Sequence, residues 1–368
     1  MEPIPTVDLG RHHRKMRTQI DAAIAKVIDQ SSFILGKPVE EFEQAFAKFC
    51  GVSHCIGVAT GTDALHFTLR ALNIGPGDEV ILPANTFIAT ALAVVYAGAT
   101  VRLVDVAEQT YNIDPDKLVS AITPHTKAII PVHLYGQIAD MDAIQRIAAP
   151  YRCAIIEDAC QAHGARYRNT RAGEFGVAAA FSFYPGKNIG ALGDGGAIVT
   201  NDAALAEQLR KLRNYGQKIK HHHEVLGYNS RLDSLQAAVL LVKLAALEEN
   251  NALRRKHAEQ YRQALVGTKA LVPQEHSEYE SVYHLFVIRH PKRDALAAYL
   301  KTQGIETAIH YPVPIHFQPA FAMLGYAPGS FPVAEQLANE ILSLPMFPEL
   351  EQEEIQRVAN AIRAFDAQ

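Results

Sequence analysis

Short apolar runs recur through the first half of the chain, each followed by a longer stretch whose apolar positions fall at helical spacing. Residues 55–59, 79–82, 101–104, 128–132, 154–156, 178–183 and 197–200 read as strands. Several are apolar without alternation, the pattern of strands covered on both faces. Residues 62–72, 89–96, 115–122 and 141–148 read as helices between the early strands, and Gly75-Pro76-Gly77-Asp78 punctuates the first crossover. This order predicts an α/β unit built on a largely parallel sheet.

Beyond Thr200 the pattern changes. Residues 202–212 are helical in period, and 232–263 form one long leucine- and alanine-rich helical stretch expected to link two domains. After it come a strand at 282–289, a helix at 293–303, a strand at 304–309 and helices at 333–342 and 351–367. The expected division is a large domain over 1–249, with an N-terminal arm and the linking helix, and a smaller α+β domain over 250–368. The window 81–101 is uncharged and long enough to span a bilayer, but it contains Pro83, Asn85, Thr86, Thr90, Gly98 and Thr100. A strand, loop, helix and second strand fit it better than a membrane span.

Composition narrows the partners. With 368 residues, a formal charge of −4 and both signs spread throughout, the chain offers no footprint for a nucleic-acid duplex or an anionic membrane. A small molecule is the expected ligand. Cys50, Cys55, Cys153 and Cys160 form no Cys-x-x-Cys pair and read as reduced thiols of a cytoplasmic protein. The start Met-Glu-Pro-Ile-Pro has no basic segment followed by an apolar one, so no signal peptide is expected.

Four segments carry chemistry. Lys187 follows Phe181-Ser182-Phe183-Tyr184-Pro185-Gly186 and leads into a glycine-rich stretch ending in the apolar run before Asn201. Most lysines are solvated, but apolar and glycine neighbours suit a buried amine with a lowered pKa, the usual route to a Schiff-base lysine. Ile155-Ile156-Glu157-Asp158 ends a strand in two acids, which fit either a helix cap or surface pair, or a carboxylate aimed into the ligand crevice. Asp158 could then keep a pyridine nitrogen protonated. Gly61 and Thr62 sit where a strand turns into a helix, an ordinary cap or a phosphate site. Phe87, after Pro83-Ala84-Asn85-Thr86, is either core or a flat partner for a ring.

In these motifs and their order the chain resembles the sugar aminotransferases of the DegT/DnrJ group, fold-type I enzymes dependent on pyridoxal phosphate. The likeness runs from Ile4-Pro5 through Gly61-Thr62-Asp63-Ala64-Leu65, Glu157-Asp158-Ala159 and Gly227-Tyr228-Asn229-Ser230-Arg231 to His310-Tyr311-Pro312. It implies that Lys187 is the Schiff-base lysine, Asp158 pairs with the pyridinium nitrogen, Gln161 bonds the ring hydroxyl, and Phe87 stacks on the ring. Gly61, Thr62 and Ser182 would hold the phosphate, joined by Asn229 from a neighbouring subunit, so a homodimer with shared active sites is implied.

Tyr184-Pro185-Gly186-Lys187 and Gly193-Asp194-Gly195-Gly196 look most like the branch acting on nucleotide-linked 3-keto-6-deoxy sugars. The implied reaction carries an amino group from glutamate to a dTDP-3-keto-6-deoxyhexose, within deoxysugar or glycan biosynthesis. Tyr184, Lys220, His221, His222, His310 and Tyr311 are candidates for contacting the sugar or its diphosphate. The run His221-His222-His223 departs from the tyrosines common in that branch. Consecutive side chains rarely converge on one ion, so a metal is not expected. Amination at C4, a sugar dehydratase and a non-catalytic regulator that binds pyridoxal phosphate are the competing readings; Lys187 argues against the dehydratase, in whose relatives a histidine stands there.

Overall fold

The computed structural model describes residues 2–273, 275 and 277–368. Seven strands form the main sheet: β1 (His54–Val58), β2 (Glu79–Pro83), β3 (Thr100–Val104), β4 (Thr126–Ile129), β5 (Ala154–Asp158), β6 (Ala178–Ser182) and β7 (Gly196–Thr200). Their spatial order is β1-β7-β6-β5-β4-β2-β3, with β7 antiparallel to both neighbours and every other pairing parallel. The expected α/β class holds, and each of the seven expected strands is present within a few residues of its predicted bounds.

Local chemistry explains most helix ends. Helices α1 (Leu9–Asp29) and α2 (Lys37–Cys50) precede the sheet, and α2 stops at Gly51, whose φ of 77° an L side chain rarely adopts. Next, α3 (Gly61–Ala71) begins at Thr60, whose hydroxyl accepts the Asp63 N–H at 3.0 Å. The crossovers continue with α4 (Ile88–Ala97), α5 (Pro115–Ala121), α6 (Met141–Ala148) and α7 (Ala203–Leu212). Gly196 has to be glycine, because a Cβ there would sit 2.3 Å from the Thr60 carbonyl carbon.

The single long helix expected over 232–263 is two, α8 (Ser234–Leu244) and α9 (Leu247–Ala264). Neither glycine nor proline marks the break. Ala237 and Leu240 of α8 belong to one apolar core with Phe42 and Phe183, whereas Ala258 and Tyr261 of α9 belong to another with Phe286 and Leu300. Turning at Ala245 and Ala246 lets one amphipathic sequence serve two cores.

The C-terminal part contains α10 (Arg293–Thr302), α11 (Pro332–Glu340), α12 (Gln352–Asp366) and the antiparallel pair β8 (Phe286–Arg289) and β9 (Ile341–Leu344). Two expectations change here. The helix expected over 333–342 stops at Glu340 and becomes a strand, and the strand expected over 304–309 makes only isolated bridges, Ile305 to Ile4 and Ala308 to Ser343. Ile4 of the N-terminal arm thereby joins the C-terminal core.

Glu157, one residue from the end of β5, is fully buried. Its carboxylate accepts the N–H groups of Gly173 at 2.8 Å and of Phe175 and Gly176 at 2.9 Å, and lies 3.0 Å from His133 Nε2. His133 Nδ1 accepts the Ala139 N–H, so Nε2 carries the proton and donates to Glu157. Glu157→Ala would strand these donors in the core. We expect a loss of about 3 kcal/mol or more of unfolding free energy, measured by urea denaturation.

Candidate active site

A cavity of about 630 Å³ opens at the carboxyl ends of β5 and β6, between the sheet and the C-terminal part. Ten sequence-predicted residues line it: Gly61, Thr62, Phe87, Asp158, Gln161, Ser182, Tyr184, Lys187, His310 and Tyr311. They come from strand ends, helix starts and the C-terminal segment, so the fold gathers what the sequence scatters. Asn229, Lys220, His221 and His222 are not among the lining residues. They stand exposed on and after the short hairpin Gln217–Ile219/His222–His223.

Lys187 is delivered by a tight loop. The Phe183 carbonyl accepts the Ala191 N–H at 2.8 Å, and a Cβ on Gly190 would meet the Pro185 carbonyl oxygen at 2.2 Å. Asn188 anchors the loop from below through Asn251 and the Val282 carbonyl, each at 2.9 Å, and the Lys243 ammonium holds the Gly190 carbonyl at 2.6 Å. Loss of hydration lowers the Lys187 pKa from its ordinary value, against the opposing pull of the Asp158 carboxylate.

Asp158 is held on both oxygens. Thr90 donates its hydroxyl to Oδ2 at 2.8 Å and the Cys160 N–H reaches Oδ1 at 3.3 Å. Thr86 completes the chain at 2.9 Å from Thr90. Gln161 is equally constrained: Oε1 accepts the Tyr135 N–H at 2.7 Å, and Nε2 donates to the Tyr311 hydroxyl at 3.1 Å. The Phe87 ring is half exposed at the mouth, 5.4 Å from the Tyr311 ring centre.

The first turn of α3 faces the same space. Thr60 and its cap account for the Asp63 and Ala64 N–H groups, leaving those of Gly61 and Thr62 without a partner among the described residues. A Cβ on Gly61 would lie 2.8 Å from Cys160 Sγ and Ser182 Cβ, so glycine keeps this approach open. Free N–H groups, two hydroxyls, a fixed carboxylate and a desolvated amine form a donor set that fits pyridoxal phosphate.

Three imidazoles surround the amine: the sequence-predicted His310, with His284 and His163, the latter between Phe181 and Phe183. His163, His284, Thr90, Cys160 and Ser343 carry no local sequence signal for this role, and only the folded chain brings them to the site. Among the described residues no group of three or more His, Cys, Asp or Glu side chains is arranged to hold a metal ion, and no helix is long and apolar enough to cross a membrane.

The chain matches the DegT/DnrJ/EryC1/StrS aminotransferase family over residues 14–363. It is 49% identical over 365 residues to a dTDP-3-amino-3,4,6-trideoxy-alpha-D-glucose transaminase of Streptomyces venezuelae, covering 98% of this chain and 96% of that one. A pleiotropic regulatory protein of Geobacillus stearothermophilus is also 49% identical, over 98% of both chains. Among solved structures, S. venezuelae DesV in complex with a ketimine intermediate superposes with a TM-score of 0.98 at 47% identity, covering all of both chains.

Burial and the Lys187 charge lower His163 to about 3 and His310 to about 4, and burial holds His284 well below the ordinary imidazole value. Below pH 6.5 the unfolded chain therefore binds protons that the folded chain refuses, so stability falls as pH falls from 6.5 toward 4. We expect a loss of about 1 kcal/mol per histidine at pH 5.5 relative to pH 7.5, read from thermal unfolding at the two values. His163→Phe should remove one histidine's share of that loss, about 1 kcal/mol.

Proposed function

Because this chain belongs to the DegT/DnrJ/EryC1/StrS aminotransferase family, we propose that it aminates a nucleotide-linked keto-deoxysugar, a dTDP-3-keto-6-deoxyhexose, with glutamate as donor and pyridoxal phosphate as cofactor. The observation that carries the reading is one cavity holding the desolvated Lys187, the doubly anchored Asp158 and the open first turn of α3. The C3 position and the dTDP group are supported by the S. venezuelae transaminase and by the Tyr184-Pro185-Gly186-Lys187 segment. Similarity to a regulatory protein does not weigh against the chemistry, since Lys187, Asp158 and Gln161 all line the cavity.

When bound, pyridoxal phosphate would supply an aldehyde carbon that carries the amino group and a ring that accepts electrons. Gly61 and Thr62 N–H groups, the Thr62 hydroxyl and Ser182 would hold its phosphate, with Phe87 against the ring. Asp158 would keep the ring nitrogen protonated, and Gln161 would bind the ring hydroxyl. Lys187 Nζ takes the proton from the donor's α-carbon and later returns one to the sugar carbon that receives the amine. Its lowered pKa raises the neutral fraction that the first step needs. Tyr184, His310 and Tyr311 contact the sugar.

Among the described residues Lys187 is the cavity's only lysine or arginine, which leaves a diphosphate without an obvious cationic partner in a single chain. That shortage supports a homodimer in which Asn229 and the hairpin residues Lys220, His221 and His222 enter the neighbour's cavity. The exposed Ile219 and Leu226 flank this segment. The division into a cofactor-binding unit over 1–249 and a smaller unit over 250–368 belongs to the same proposal, with the cavity between them. Four free cysteines support a cytoplasmic location.

Borohydride should fix the cofactor to Lys187, and glutamate should bleach the protein's visible band and release 2-oxoglutarate. Lys187→Ala should lose turnover by about 10⁴-fold or more while still binding the cofactor. Protein that takes up no pyridoxal phosphate, or keeps turnover without Lys187, refutes the mechanism. Mass change on amination across dTDP- and UDP-linked 3-keto and 4-keto sugars then identifies the acceptor.

Shared sites make a separate prediction. Mixing Lys187→Ala with Asn229→Ala protomers should restore about a quarter of wild-type activity, because half the dimers are mixed and each holds one intact site. No recovery above the single variants would place both residues in one protomer's site, and light scattering that finds a monomer would exclude sharing altogether.

A further inference from the structure

His310 stands on the cavity wall with Nδ1 2.8 Å from the Ser343 hydroxyl. Lys187 and His284 act on it electrostatically, the Tyr311 ring lies 5.5 Å from it, and the Tyr135 hydroxyl donates to its backbone carbonyl. With its pKa lowered to about 4, the imidazole is neutral at ordinary pH and carries one N–H and one bare nitrogen. Its partner on Nδ1 decides which is which.

Ser343 is 1% exposed, and its backbone is fully engaged with Ala308, donating at 2.8 Å and accepting at 3.2 Å. Its hydroxyl has one partner among the described residues, His310 Nδ1. If the hydroxyl accepted from Nδ1, its own proton would have no acceptor among the described residues. If it donates, both atoms are satisfied. The second arrangement is preferred, since a buried unpaired donor is among the costlier defects of a folded chain. The proton of His310 then sits on Nε2, which has no protein partner among the described residues, while the ring lines the cavity.

We infer that Ser343 is a positioning residue: it fixes His310 as the Nε2–H tautomer, so that the cavity presents a neutral hydrogen-bond donor to an oxygen of the bound sugar. The sugar part rests on the aminotransferase reading above. A neutral donor stabilises charge building on a carbonyl or hydroxyl oxygen without adding a second cation beside Lys187.

Two measurements test it. Long-range proton–nitrogen NMR of histidine-labelled protein, with His310 identified by its disappearance in His310→Gln, reads the tautomer without turnover. The proton should be on Nε2 in the wild type, and Ser343→Ala should give a mixture. In single half-reactions, Ser343→Ala should lower kcat/KM for the keto sugar about tenfold, leave the glutamate half-reaction within about twofold, and be rescued by Ser343→Thr. A proton on Nδ1 in the wild type overturns the inference, as does an equal loss in both half-reactions, which marks general loosening. If Ser343→Ala does not fold, the wild-type spectrum and the Thr variant decide. A wild-type protein that takes no amino group from glutamate overturns the aminotransferase reading, a result separate from the tautomer.

Discussion

Adjacent residues of a strand point to opposite faces, and at the end of β5 this alternation separates two carboxylates that are neighbours in sequence. Glu157 shares the face of Ile155 and turns into the interior, where it gathers three backbone N–H groups and His133. Asp158 shares the face of Ile156 and turns to the cavity. Because Glu157 fixes both the 173–176 turn and the loop through His133, the strand end cannot rotate. The orientation of Asp158 is therefore settled before any ligand arrives. A one-residue slip would put the anchor in the cavity and the functional acid in the core.

Desolvation is the second constraint, and it acts on Lys187, the three imidazoles around it and the Cys160 thiol. Removing water disfavours charge, so the amine and three imidazoles are all pushed toward their neutral forms. Cys160 is pushed the same way and stays a thiol. Lys187 alone among them has the Asp158 carboxylate pulling against its loss of charge, which tempers the shift. The result is a site that holds exchangeable protons on several nitrogens without stacking positive charge.

The sequence disclosed those parts of the fold and site that are written locally. Unbroken apolar runs gave the seven strands, and Gly61-Thr62, Asp158 and Lys187 each sit at a junction between an apolar run and a turn, where side chains at strand ends meet. Other parts depend on distant neighbours and leave no local mark. The break between α8 and α9 follows from two separate cores, and β9 is a strand because β8 lies beside it. Thr90 and Ser343 look like ordinary polar residues until Asp158 and His310 are placed next to them. Glu157 was visible as an acid beside Asp158, but its structural role required the loop at 173–176 to fold back.

The same low-dielectric setting limits where a substrate's charge can be met. A lysine or arginine placed beside Lys187 would be costly to bury, and it would depress the catalytic amine further than proton transfer requires. Cations for a diphosphate are therefore better placed at the rim, where water shares the cost, than in the cavity. In this chain the 217–229 stretch, outside its own cavity, combines Lys218, Lys220, three histidines and the exposed Ile219, Val225 and Leu226. Under the proposed function a division of labour follows, with amine chemistry in the dry interior and phosphate charge at a wet edge. Under the same proposal, completing the wet edge from a second copy satisfies that division without placing another charge beside Lys187.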